Sequence, residues 1–127
     1  MSDPPQRPPG RNVLGGDLIA CSTEPLTGYY RDGCCNTGDD DGGVHTVCCV
    51  VTEEFLDFSL SQGNDLITAM PAYGFPGLAP GDHWCLCASR WVEALSANSA
   101  PHVVLAATHE RTLQYTTLDT LRAHAID

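Results

Sequence analysis

The chain has 127 residues, 43% of them apolar and 17% charged, an ordinary globular balance for one modest core. Its 16 acidic residues stand against 6 basic ones, all arginine, so the formal charge is -10 and lysine is absent. No basic phosphate-binding face can be built from this, which excludes nucleic-acid binding and adhesion to anionic membranes.

Residues 1–11 carry four prolines and little that is apolar, and read as an extended, solvated tail ahead of one globular domain over residues 12–127. No apolar stretch suits a bilayer span or an export signal, so the expected location is cytoplasmic and the seven cysteines are expected as reduced thiols, without a disulfide framework. Acid without lysine is also what selection for solubility at high salt produces, and stability rising with added KCl is the matching expectation.

Residues 13–43 are punctuated by glycine and proline and read as loops. The β-branched run VHTVCCVV over residues 44–51 predicts a strand. Thr52 as N-cap, with Glu53 and Glu54 in the first turn, predicts a helix over residues 53–62 ending at Gly63. Pro76-Gly77 and Pro80-Gly81 each fit the centre of a type II turn. A second strand is expected over residues 83–89, a short helix over 91–97, a third strand over 102–108 and a fourth over 113–116. Thr117 caps a closing helix carrying Leu118, Leu121, Arg122 and Ala125. The fold class is α+β: a small mixed or antiparallel sheet of about four strands, two or three short helices, and long glycine-rich loops.

Strand alternation places Cys48 on the face of Val44 and Thr46, and Cys49 on that of His45 and Val47. On the second strand it groups His83, Cys85 and Cys87 opposite Trp84, Leu86 and Ala88. The C-x-C with its histidine, joined by Cys34 or Cys35 from the preceding loop or by Cys48 from the other strand, offers ligands for a tetrahedral zinc ion. Against that, no C-x-x-C knuckle is present, and reduced cysteines are commonly buried as apolar groups.

The segment YYRDGCC puts Arg31 and Asp32 beside Cys34 and Cys35 in a glycine-rich loop, where a thiol near Arg31 or His45 can be held as thiolate for nucleophilic work. The competing account is that Arg31 and Asp32 pair with each other or with loop carbonyls and only shape the turn. His109-Glu110 lacks the second histidine of H-E-x-x-H, since Leu113 stands there, and Asp39-Asp40-Asp41 lacks the spacing of a calcium loop and reads as a solvated acidic turn.

The blocks YYRDGCCNTG, VHTVC, VTEEFLDFSLSQGNDL, YGFPGL, GDHWCLCASRW and VVLAATHE, in this order, resemble the uncharacterised family known as domain of unknown function 2237, found in bacteria and plants. The resemblance covers residues 12–127 and implies no activity, substrate or cofactor. That family's pattern carries alanine where this chain has Cys49, which makes Cys49 the thiol least expected to matter. Three functions then compete. In the first, Arg31, Asp32, Cys34, Cys35, His45, Cys48, Cys85 and Cys87 converge on a polar pocket that binds a small molecule or a metal. In the second, Cys34 or Cys35 is the nucleophile of an enzyme, with His45 as base and Arg31 as anion clamp. In the third, the cysteines are inert and the domain is structural.

Overall fold

A computed structural model describes residues 10–127, so most of the expected proline-rich tail lies outside the described residues. The sheet has three antiparallel strands in the order β2-β1-β3: β1 is His45–Val50, β2 is His83–Cys87 and β3 is His102–Val103. Helices α1, Glu53–Ser61, and α2, Ala88–Ser96, pack on each other and on the main core, and α3, Leu118–Ala123, closes the chain.

β1 is central because its β-branched, thiol-bearing side chains are buried on both faces. Val47 and Cys49 face the larger core with Phe55, Leu56, Trp84, Leu86, Trp91 and Leu121. Cys48 faces a second, smaller core of Cys21, Cys35, Cys85 and Ala107. The opposed directions expected of Cys48 and Cys49 correspond to these two cores.

Local signals explain the helices. Thr52 Oγ1 accepts the Phe55 N–H at 3.1 Å, and the two glutamates of the first turn complement the dipole of α1. Thr117 caps α3 in the same way through the Thr120 N–H at 3.1 Å. α2 starts three residues before the expected point, directly on the end of β2, because the Ala88 N–H is taken by the Val44 carbonyl at 2.9 Å, outside the β2 ladder. From there Ala88, Trp91 and Ala94 form its buried face.

Four strands were expected and three are present among the described residues. The third stops at Val103 because the Leu105 and Ala106 N–H groups donate to the Asp127 carboxylate, at 2.7 and 3.0 Å, and residues Leu105–Ala107 coil into a 3-10 turn. The expected fourth strand is part of another 3-10 turn, Glu110–Gln114, whose first free N–H, that of Arg111, is accepted by His109 Nδ1 at 3.0 Å. Of the two expected type II turns, the one at Pro80-Gly81 is closed by the Asp82 N–H on the Ala79 carbonyl at 3.0 Å, with Gly81 at φ +95°. Among the described residues no helix is long and apolar enough to cross a membrane.

Candidate active site

Register decides which polar groups meet. Cys48 opposes Cys85, Val47 opposes Leu86, and His45 opposes Cys87, with a bulge between His45 and Val47. Cys85 and Cys87 lie two apart on β2 and share a face, so the extra residue Thr46 turns His45 away from the face of Cys49, where simple alternation placed it, and onto that of Cys87. Thr46 itself is buried, receiving the Thr112 hydroxyl on its Oγ1 at 2.8 Å and the His109 N–H on its carbonyl at 2.9 Å. Val44 ahead of it adopts φ +51°, which costs a β-branched residue about 1–3 kcal/mol. In return its carbonyl ties the start of α2 to the start of β1, accepting from both Thr46 and Ala88 at 2.9 Å.

The product is a chain of three side chains. Asp41, fully buried, receives His45 Nδ1 on its Oδ1 at 2.7 Å; its Oδ2 accepts the His45 backbone N–H at 2.9 Å and the Thr37 hydroxyl at 3.0 Å. With Nδ1 engaged, the other ring nitrogen of His45, Nε2, is the one on the side of Cys87 Sγ. A Cβ built on Gly43 would lie 3.0 Å from Cys87 Sγ, 3.2 Å from His45 Nε2 and 2.6 Å from His45 Cε1, so both groups crowd the same point and a larger residue there would make one of them shift.

Cys87 is also the N-cap of α2 and makes no side-chain capping bond. The residue therefore stands at the end of a nine-residue helix that carries the positive pole of its dipole. The hydrogen bond to Cys87 raises His45 to about 9; burial opposes this, and the charges of Cys87 and Asp41 support it. Burial pushes the Asp41 carboxyl up, but the His45 and Thr37 hydrogen bonds outweigh it and hold it below its ordinary range.

Both shifts predict pH behaviour. The His45 ring should titrate near 9 when followed by its Cε1 proton resonance, and in Cys87→Ala it should move back toward 6.5; a wild-type value near 6.5 would deny the pairing. Stability contributed by a raised histidine is complete below 6.5 and is lost as pH rises through about 9, whereas that from a lowered carboxylate is complete above about 4 and is lost below it. Stability from the pair should therefore peak between about pH 4 and 6.5. Replacing Gly43 by alanine should leave the fold intact and slow alkylation of Cys87 about tenfold, since a misplacement of about 1 Å is enough for such a loss. A rate equal to wild type would show that the crowding at Gly43 has no consequence for the thiol.

A pocket of about 350 Å³ lies along β2, an edge strand, and is lined by Arg31, His45, Trp84, Cys85 and Cys87 among others. Tyr29 stacks on His45, with ring centres 5.8 Å apart. Thr27, just ahead in the same loop, holds the β2 edge by accepting the Cys85 N–H at 2.9 Å.

The other expected site residues fall elsewhere. Two disulfides, Cys21–Cys48 and Cys35–Cys85, overturn the expectation of wholly reduced thiols and belong to oxidising conditions, so the cytoplasmic expectation gains no support from them. Cys35 is thus no nucleophile in this state, and Cys48 and Cys85 are not open metal ligands. The Cys34 thiol is pushed up by burial and by the Asp32 carboxylate, the opposite of activation. Asp32 does not pair with Arg31; its Oδ1 accepts the Cys34 N–H at 3.0 Å. His83 opposes Val50 at the far end of β2, apart from both the pocket and the sulfur cluster. Cys49 is fully buried, and burial pushes its thiol well up.

Asp41 is the residue that sequence reasoning missed, having placed it in a solvated turn. The signal was its position four residues before a histidine, beside two glycines.

A family model described as an uncharacterised protein conserved in bacteria, DUF2237, matches residues 11–125. No curated protein matches the chain.

Proposed function

The chain belongs to this family of uncharacterised bacterial proteins, and we propose that it is a thiol-dependent enzyme acting on a small molecule, with Cys87 as nucleophile, His45 as base and Asp41 as the group that orients the base. The observation that carries the reading is the Asp41–His45–Cys87 relay opening into the pocket. In the reaction, the single proton shared by Cys87 and His45 rests on His45, raised to about 9, while Cys87 Sγ forms a bond to an electrophilic carbon of the substrate. The leaving group departs with its bonding electron pair and receives that proton, and water then cleaves the sulfur–carbon bond with His45 again as base. Asp41 keeps a proton on Nδ1, so that Nε2 is the acceptor. The expected nucleophiles Cys34 and Cys35 give way to Cys87, and the small-molecule pocket first drawn around eight residues contracts to the side chains on the β2 edge.

The test is alkylation of the oxidised protein with limiting iodoacetamide at pH 7, with sites located by peptide mass spectrometry. Cys87 should react first, faster than a free thiol, with Cys34 slower and Cys49 protected. Equal labelling of Cys34 and Cys87 at an ordinary rate would refute the assignment.

The sulfur cluster supports a second reading. The sulfurs of Cys21, Cys35 and Cys85 lie within 4.8 Å of one another and Cys48 is bonded to Cys21, so once a dithiol reductant has supplied four electrons and four protons, four thiols would suit a tetrahedral zinc ion. About one zinc per chain in protein reduced and loaded under argon would support this; none would leave the four cysteines to the disulfides alone.

A further inference from the structure

Among the described residues Arg31 is the one arginine lining the pocket. It adopts φ +55°, which turns its side chain back over its own loop, where Nη1 donates to the Gly28 carbonyl at 3.1 Å. Its guanidinium carbon stands 5.2 Å from the centre of the Trp84 ring. Gly28 is required for this turn, since a Cβ there would collide with the Cys34 carbonyl.

No carboxylate among the described residues pairs with Arg31, although Asp32 is its neighbour in sequence. A guanidinium has five N–H donors in a planar fork, and this one spends a single donor on the protein. In a chain with a net charge of -10, an arginine held at a pocket without an acidic partner marks a place for an anion.

We infer that the small molecule taken by this pocket is an organic anion, its carboxylate or similar singly charged group bound by Arg31 while its electrophilic carbon faces Cys87. The inference rests on the thiol reading above and adds the substrate class to it. Trp84, Leu66 and Leu86 line the same pocket and suit a short apolar body between the two ends.

Iodoacetate and iodoacetamide test it, because both offer a CH2–I carbon from which the sulfur displaces iodide and they differ in charge. Alkylation rates of Cys87 are measured for each and divided by those of β-mercaptoethanol. The normalised preference for iodoacetate should be about fivefold or more in the wild type, although the protein as a whole repels anions. Arg31→Gln should lower this preference at least about threefold, and Arg31→Lys should restore part of it. His45 and the α2 terminus, which also favour anions, are the same in all three proteins, so the difference reports Arg31. Fast reaction with iodoacetamide and no preference for iodoacetate, or a preference that Arg31→Gln leaves intact, would overturn the anion inference and spare the thiol site. Slow reaction with both reagents would overturn the thiol site and this inference with it.

Discussion

Reducing both disulfides should lower the melting temperature of the protein by at least about 10 °C and bring it close to unfolding at physiological temperature. The bonds span 27 and 50 residues of sequence. Closing loops of that length in the unfolded chain removes entropy equivalent to roughly 3–4 kcal/mol each. The loops 21–48 and 35–85 overlap, so the joint effect is smaller than the sum of the two. Even a single term of that size is a large part of the 5–15 kcal/mol that holds a typical domain together. The bonds also tie the irregular segment carrying Thr27, Gly28 and Arg31 to the strands, so their loss should loosen the pocket before the sheet. The check is a calorimetric scan of oxidised protein with and without phosphine reductant, alongside the double variant Cys21→Ala/Cys48→Ala. Melting temperatures agreeing to within 2 °C would mean that the sulfurs are not bonded in solution.

Asp41→Asn should slow alkylation of Cys87 at pH 7 by at least about tenfold, because the histidine that Asp41 orients is then held in the wrong tautomer. Asp41 Oδ2 accepts two donors, the His45 backbone N–H and the Thr37 hydroxyl. The amide oxygen of an asparagine would keep that place, which leaves its NH2 facing His45 Nδ1. The ring must then carry its proton on Nε2, and in that tautomer it cannot take one from Cys87. His45→Ala should produce a loss of similar size, and the double variant little more than either single change, because the two residues act as one unit. A structural role alone would lower the melting temperature and leave the pH profile of alkylation in place. The relay predicts instead that the profile shifts to higher pH in both variants. A rate for Asp41→Asn within threefold of wild type would remove Asp41 from the chemistry.

The elements with the strongest local signals were legible in the sequence. β1 is one, a β-branched run bounded by glycine; α1 and α3 are others, each opened by a threonine whose hydroxyl caps the first turn. The expected third and fourth strands misled because their patterns ignore distant acceptors: the Asp127 carboxylate, 22 residues from Leu105, captures two N–H groups that a strand would have used. The site was half legible. Arg31, His45, Cys85 and Cys87 were named and all line the pocket, while the nucleophile was sought in the wrong element. Sequence proximity of Arg31 to Cys34 and Cys35 suggested a loop thiol, but Cys35 is spent on Cys85 and Cys34 lies beside a carboxylate.

What the sequence by itself determined is the frame: an acidic, lysine-free chain, a central strand bearing His45 and Cys48, a C-x-C strand after it, and membership of one family. What only the tertiary structure decided is which of these groups touch. The bulge at Thr46 rotates His45 onto the face of Cys87, and the tight turn before β1 buries Asp41 against the histidine. One inserted residue in a ladder reverses the face of every side chain before it, and neither alternation nor spacing records where that insertion falls.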